Sequence, residues 1–237
     1  FSGFYAIVAG INESYVAAVI AVFVAGLLDG LDGRVARMTN TQSEFGVQYD
    51  SLSDLISFGL APALVVYMWA LSGLREYGNF TGKLGWLIAF LYTACAALRL
   101  ARFNTQVGSS DKRFFTGLAS PAAAGTLMAF IWAMESFGLV GGSVRWVALA
   151  LTLGLALLMV SRIPFFSFKV WPEKVSFFWI LALVVAIIPV AAHPPSVLLV
   201  LGLIYCSSGP AIWAWHRLRR RSAAAAVAAQ PPVPPAT

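Results

Sequence analysis

The sequence predicts an all-α fold, a polytopic bundle of transmembrane helices with about eight spans. Hydrophobic residues make up 59% of the 237 residues and charged residues only 11%. A soluble domain of this length would need far more charge to cover its surface. In addition, several apolar stretches approach the ~20 residues with which an α-helix crosses ~30 Å of hydrocarbon. Composition and stretch length together indicate an integral membrane protein.

The apolar stretches give the expected helices in order. The first, at residues 1–11, is expected to be the end of a helix whose start is missing, because it opens on Phe1 with no initiating Met. Polar residues at 12–14 separate it from the next stretch. The further spans are expected at residues 15–31, 47–71, 85–103, 119–137, 145–163, 175–192 and 196–215.

The same pattern suggests how the chain is organised into domains. Residues 1–216 are expected to form a single membrane domain. Residues 217–237 are basic at first and then rich in Ala and Pro, a composition typical of disordered segments. They are expected to form a disordered cytoplasmic tail. Cys95 and Cys206 fall inside predicted spans, where buried thiols are the simplest interpretation.

The placement of basic residues predicts the orientation. With the 12–14 loop outside, thirteen of the sixteen Lys and Arg residues fall on the inner side. Arg75, Lys83 and Arg145 are left outside. This asymmetry follows the positive-inside rule and predicts cytoplasmic termini, with a bacterial inner membrane as the expected location. The net charge of +6 suits anionic headgroups, and no nucleic-acid partner is expected.

Four aspartates lie close together in the stretch DGLDGRVARMTNTQSEFGVQYDSLSD, residues 29–54. Asp29 and Asp32 are three residues apart, and Asp50 and Asp54 are four apart. Each pair therefore shares one face of its helix. Both pairs lie toward the cytoplasmic ends of adjacent spans, so two such helices packed antiparallel would bring the four carboxylates into one cavity.

Uncompensated carboxylates are costly at the edge of a membrane. Protonation, arginine partners or divalent cations could each compensate them. Ligand sets made of oxygen alone suit hard ions, so we expect two Mg²⁺ or Mn²⁺ ions, with Ca²⁺ as a further ion that such a site could bind. Gly30, Gly33 and Gly46 leave room for a close approach, and Arg34 and Arg37 add positive charge. These features favour a diphosphate ligand.

The spacing of these residues resembles the signature of a known family. The pattern D-x-x-D-G-x-x-A-R, then eight residues, then G-x-x-x-D-x-x-x-D reads here as Asp29, Asp32, Gly33, Ala36, Arg37, Gly46, Asp50 and Asp54. It is similar to that of the CDP-alcohol phosphatidyltransferases, integral membrane enzymes of phospholipid synthesis. The resemblance implies that the first three aspartates hold a pair of divalent ions. It implies that Asp54 also approaches the metals and is the general base.

The resemblance also implies a site for the CDP-linked lipid. Gly33, Ala36 and Arg37 are expected to line the cytidine diphosphate, and the expected contacts of the lipid donor extend to Asp29, Gly46 and Arg34. A homodimer in contact with membrane phospholipids is implied as well.

Two later stretches concern the acceptor alcohol. LRLARFN places Arg99, Arg102 and Asn104 at the cytoplasmic end of a span. Two guanidinium groups there need an anionic partner, a carboxylate or a phosphate, although snorkelling toward lipid phosphates is an alternative. The stretch DKRFFTGLASPAAAG adds Lys112 and Arg113. Both stretches resemble the phosphatidylserine synthase branch of the family, and the five residues are candidates for binding serine.

The resemblance to this branch implies transfer of the phosphatidyl group from CDP-diacylglycerol to L-serine, with release of CMP. Ala119 stands where the branch is expected to carry the first proline of GLPSP, while Pro121 keeps the turn. Glycerol 3-phosphate, inositol phosphate or choline stays open as the acceptor, as does a covalent intermediate. A cation transporter is the alternative from another class, but the acids cluster at one membrane face instead of crossing it.

Overall fold

The chain folds into a helical bundle, seen here in a computed structural model that describes residues 1–39, 43–105, 114–166 and 188–228. Within these ranges only the backbone is described at 36, 37, 39, 114–116, 164, 166 and 216–228. The α-helices are α1 (Ser2–Ile11), α2 (Tyr15–Thr39), α3 (Glu44–Asp54), α4 (Ala61–Trp69), α5 (Asn79–Thr105), α6 (Ser120–Ser136), α7 (Arg145–Val160) and α8 (Pro194–Ala228).

Three shorter helical segments and one small ribbon complete the described structure. A π-helical segment, π1 (Leu55–Leu60), joins α3 to α4, and 3₁₀ helices lie at Leu71–Tyr77 and Gly141–Ser143. Two three-residue strands, β1 (Phe114–Thr116) and β2 (Pro164–Phe166), pair antiparallel. The prediction of a helical bundle is confirmed, and this ribbon is an element that the sequence analysis did not predict.

Several helices are suited to crossing a membrane. Within the described residues, four are long and apolar enough: Tyr15–Val35, Glu44–Trp69, Asn79–Thr105 and Pro194–Trp215. Helices α1 and α7 are shorter and apolar. The span expected at 175–192 lies largely outside the described residues, so a total of eight spans stays a prediction.

The last helix is longer than expected. Disorder was expected from residue 217, whereas the backbone of α8 stays helical as far as Ala228. The physical reason is local, because Ala and Arg are among the strongest helix formers and dominate residues 217–228. The remainder of the expected tail, 229–237, lies outside the described residues.

The core of the bundle lies around α6. Ala123, Leu127, Met128 and Ile131 on this helix are completely buried. Helix α6 packs against α2 and α8, and the small residues of SPAAAG at its start allow close approach of neighbouring backbones. This short, central helix therefore contacts longer helices of the bundle, α2 and α8 among them.

Large apolar side chains cover the outside of the bundle. Leu27, Phe90 and Leu157 are 70%, 64% and 58% exposed. Exposed apolar side chains in this number would drive association in water, whereas in a bilayer they meet hydrocarbon. Together with the four long apolar helices, they identify a membrane-integral protein.

The two ends of the bundle differ in their polar contacts. At one end the indole N–H of Trp69 donates to Glu135 at 2.5 Å, and Arg145 forms an ion pair with Glu76 at 2.7 Å. The other end brings together the second half of α2, the end of α3, the end of α5 and the start of α6. The predicted site residues lie at this second end.

Candidate active site

Helices α2 and α3 bring the predicted aspartates together. One carboxylate oxygen each from Asp29, Asp32 and Asp50 lies within 4.8 Å of the other two. The side chain of Asp54 lies within hydrogen-bond distance of Asp29. The pairs expected from the i, i+3 and i, i+4 spacings therefore meet as one group of four carboxylates.

The local sequence positions α3 for this meeting. Ser43 is the N-cap of α3, and its hydroxyl accepts a hydrogen bond from the N–H of Gly46 at 3.0 Å. A serine cap satisfies one of the N–H groups that lack a partner in the first turn of a helix. A Cβ at Gly46 would lie 3.1 Å from the Ser43 hydroxyl oxygen, so the small residue suits the cap.

The oxygen-rich cluster fits a hard divalent ion. Oxygens that share one Mg²⁺ or Ca²⁺, at about 2.0–2.6 Å from the ion, lie at most roughly 4–5 Å apart. The spacing of up to 4.8 Å between the three carboxylates is within this reach. Asp54 is not one of these three, but its contact with Asp29 places it beside them.

Open space adjoins the cluster on α2. A Cβ built at Gly30 or Gly33 would meet no heavy atom within 4 Å, and both glycines are exposed. The N–H of Gly33 donates to the Asp32 carboxylate at 2.8 Å. A bare backbone next to the carboxylates leaves room for a phosphate group to approach.

Arg99 on α5 is a predicted acceptor residue whose charge reaches the aspartate group. Its Nη1 donates to the hydroxyl of Ser120 at 2.8 Å, and its charge interacts with Asp54. The Nε atom is buried and has no hydrogen-bond partner within the described part of the chain. The guanidinium thus has a donor left for a further acceptor beside Asp54.

The other candidates on α5 differ in their contacts. Asn104 donates from Nδ2 to the hydroxyl of Ser51 at 2.9 Å, which ties the end of α5 to α3 next to Asp50. Arg102, two residues earlier, is half-buried, and its carbonyl accepts a hydrogen bond from the Thr105 hydroxyl at 3.0 Å. Asn104 therefore holds the helices together at the site.

The remaining predicted residues are described less fully. Arg34 is exposed on α2. Ala36 and Arg37 belong to the same helix, but their side chains lie outside what the structure describes, as do Lys112 and Arg113 altogether. Their expected roles at the cytidine and serine sites stay predictions.

Two residues near the site were not predicted. Ser120 is completely buried at the start of α6 and accepts the bond from Arg99; a serine directly before Pro121 is a recognisable helix-start signal. Tyr205 on α8 interacts with Arg99 and packs on Phe165 with ring centroids 5.8 Å apart. No local pattern around Tyr205 indicates this position.

A comparison with protein families gives the assignment. The profile of the CDP-alcohol phosphatidyltransferases matches residues 1–158, which include all four aspartates and Arg99. The chain belongs to this family. It is therefore an enzyme of a phosphotransferase family, and the resemblance noted from the aspartate signature is confirmed.

Curated relatives in the family carry more specific names. The chain is 37% identical to a CDP-diacylglycerol–serine O-phosphatidyltransferase of Helicobacter pylori over 71% of this chain and 68% of the relative. It is 36% identical to one of Methanocaldococcus jannaschii, over 79% and 80%. An archaetidylserine synthase of Methanothermobacter thermautotrophicus is 38% identical, over 69% and 64%.

Proposed function

We propose that this phosphatidyltransferase transfers the phosphatidyl group of CDP-diacylglycerol to the hydroxyl of L-serine, giving phosphatidylserine and CMP. The observation that carries the proposal is the group of four carboxylates on α2 and α3, with Arg99 beside Asp54. The names of the relatives, which share serine as the acceptor, support the choice of alcohol.

Three aspartates are suited to hold the donor's diphosphate through divalent ions. Asp29, Asp32 and Asp50 supply the oxygens, and Mg²⁺ or Mn²⁺, when bound, would neutralise the carboxylates and stabilise charge on the phosphates. The open space beside Gly30 and Gly33 is where the diphosphate approaches. Arg34 and Arg37 at the same end of α2 add positive charge.

Asp54 and Arg99 act on the acceptor in this proposal. The carboxylate of serine binds Arg99, whose buried Nε has no described partner. Asp54 accepts the proton of the serine hydroxyl, and the hydroxyl oxygen bonds to the phosphorus that carries the diacylglycerol. The bond from this phosphorus to the oxygen it shares with CMP breaks, and that oxygen leaves with CMP. Asp54 is protonated at the end of the step.

The position of the site along α2 suits a lipid donor. Asp29 is fourteen residues after Tyr15, the first residue of α2, or about 21 Å along the helix axis. If α2 enters a hydrocarbon layer of ~30 Å near Tyr15, a depth of about 21 Å lies past the middle of the layer, in the opposite leaflet. We place the site in the cytoplasmic leaflet of the inner membrane, so that the donor enters sideways with its acyl chains in lipid.

An acceptor panel tests the proposal directly. Purified protein in detergent with Mn²⁺ and CDP-diacylglycerol is given serine, glycerol 3-phosphate, inositol phosphate or choline, and CMP release is measured. We expect release with serine alone, and loss of it on chelation. Release with another alcohol in place of serine would refute the serine assignment, while no release with any acceptor would refute the proposed activity.

The lipid donor is tested in the same assay. The relative named archaetidylserine synthase makes an ether-linked CDP-lipid a second candidate donor. Running the serine reaction with ester-linked and ether-linked donors in parallel compares their kcat/KM. We expect the ester-linked lipid to be preferred, and a preference for the ether-linked lipid would reassign the donor.

A further inference from the structure

The span that carries Asp50 and Asp54 changes its helix type directly after Asp54. Helix α3 ends at Asp54, and π1 occupies the next six residues before α4 begins. At the end of π1, the N–H of Ala61 donates to the carbonyl of Ile56, five residues earlier. This i→i−5 bonding defines a π-helix, and short segments of this kind are frequent at functional sites.

A π turn changes the direction in which the aspartates point. It holds about one residue more than an α turn, and each residue of an α-helix rotates the chain by about 100°. Helix α4 is fixed in the core by Val65, Val66 and other completely buried residues. Without the extra residue, Asp50 and Asp54 would be rotated by about 100° relative to α4, away from Asp29 on α2.

The sequence explains why α-helical bonding is interrupted in this segment. Pro62 has no N–H, so the α-helical bond to the carbonyl of Phe58, four residues earlier, cannot form. Instead, the hydroxyl of Tyr92 on α5 donates to that carbonyl at 3.3 Å. The hydroxyl of the next residue, Thr93, lies 3.4 Å from the carbonyl of Gly59 and donates to it.

Close packing holds π1 from two sides. A Cβ at Gly59 would lie 3.1 Å from the Cβ of Ala96 on α5. On the other side, a Cβ at Gly3 of α1 would lie 2.8 Å from the Cα of Ser57. Both glycines allow backbones to approach where a side chain would force π1 to shift.

We infer that Tyr92 is a positioning residue for the aspartate group, acting through the Phe58 carbonyl and π1. Tyr92 is completely buried on α5, and its role does not require contact with substrate. Its hydroxyl stabilises the π register, and that register turns Asp50 and Asp54 toward Asp29. This inference rests on the proposed function, because Tyr92 is inferred to position the aspartates that hold the metal in that proposal.

Mn²⁺ binding to purified full-length protein tests the inference without relying on turnover. In Tyr92→Phe we expect the dissociation constant for Mn²⁺, measured by electron paramagnetic resonance, to rise roughly three- to tenfold, the size expected for one buried hydrogen bond. The kcat should fall by a similar factor, with the KM for serine unchanged. Tyr67→Phe is the matched control. The Tyr67 hydroxyl accepts a hydrogen bond from Arg75 at 3.3 Å, and Tyr67 lies near the opposite end of the span that carries Asp50 and Asp54.

A second variant separates positioning from simple stability. Pro62→Ala gives the Phe58 carbonyl an α-helical donor and should relax π1 toward an α-helix. We expect it to weaken Mn²⁺ binding at least as much as Tyr92→Phe while the unfolding temperature does not fall. If Mn²⁺ affinity is retained in both variants, or changes only in step with unfolding temperature, Tyr92 does not position the aspartates.

Asp29→Asn distinguishes failure of this inference from failure of the proposed function. If Asp29→Asn leaves Mn²⁺ binding and CMP release unchanged, the metal site itself is wrong. If Asp29→Asn abolishes Mn²⁺ binding while Tyr92→Phe has no effect, only the role of Tyr92 is refuted.

Discussion

At the scale of single residues, the four aspartates have different surroundings. Asp32 and Asp50 are exposed, whereas Asp29 and Asp54 are half-buried. Asp54 interacts with both Asp29 and Arg99. It therefore interacts with the carboxylate cluster and with the residue proposed to bind the acceptor, and a general base has to be within reach of the acceptor hydroxyl.

Asp54→Asn separates the role of base from the role of metal ligand. The amide cannot accept the hydroxyl proton, so we expect kcat to fall by roughly 10²–10⁴-fold. Binding of the CDP-lipid in the presence of Mn²⁺, measured by titration calorimetry, should stay within about threefold, because Asp29, Asp32 and Asp50 remain. A parallel loss of donor binding would show that Asp54 is chiefly a metal ligand.

Arg99→Lys tests the proposed site for the serine carboxylate. Lysine keeps the charge but loses the planar fork and the buried Nε donor. We expect the KM for serine to rise roughly tenfold or more, the size of a charge-assisted hydrogen bond, with the KM for CDP-diacylglycerol little changed. Arg102→Lys, one turn along the same helix, is the control; a larger effect there would transfer the role to Arg102.

At this scale, contacts between residues close in sequence could be predicted, whereas contacts between residues far apart in the chain could not. The aspartates were predictable because helical spacing fixes which residues share a face. Ser120, the partner of Arg99, lies 21 positions away, and only the packing of α6 against α5 brings the two together. The contact of Tyr205 depends in the same way on where α8 packs.

At the scale of helices, α6 and α8 depend on close approach. A Cβ at Gly202 of α8 would lie 2.6 Å from the hydroxyl oxygen of Thr126 on α6. That hydroxyl donates to the carbonyl of Ala122 and lies 3.5 Å from the thiol of Cys206. Thr126 is buried, so it has little room to move away.

Gly202→Ala should destabilise the protein by roughly 1–3 kcal/mol, the range for overpacking a tight contact. Gly154→Ala on α7 is the matched control, because a Cβ there meets no heavy atom within 4 Å and alanine favours helix by about 1 kcal/mol over glycine. Thermal unfolding in detergent should show opposite shifts for the two variants. A shift in the same direction would contradict the tight packing of α8 on α6.

The ends of helices were predictable where the sequence contains a clear stop. The span expected at 119–137 is found as Ser120–Ser136, next to Pro121 and Gly138. The end of α8 was not predictable, because a run of Ala is typical both of a helix and of a low-complexity tail. The break at π1 has a signal in Pro62, but the helix type also depends on Tyr92 and Gly3 in other helices.

At the scale of the whole molecule, the bundle separates two polar ends. Arg145 lies at the end opposite the aspartates, and its side chain is only 13% exposed. Its Nη1 donates to the carbonyl of Gly73 and to Glu76, at 2.6 Å and 2.7 Å. Arg145 is one of the three basic residues expected outside by the positive-inside rule, and its local contacts with Gly73 and Glu76 satisfy its charge.

Cysteine labelling in right-side-out membrane vesicles tests this orientation. Val140 lies at the end with Arg145 and Met38 at the end of α2 near the aspartates; they are 70% and 84% exposed. We expect a membrane-impermeant maleimide to label Val140→Cys in intact vesicles, and Met38→Cys only after permeabilisation. The native Cys95 and Cys206, only 5% and 6% exposed, should give a low background in both conditions. Because the proposed reaction draws serine from the cytoplasm, the reverse labelling pattern would place the aspartates on the side that cytoplasmic serine cannot reach.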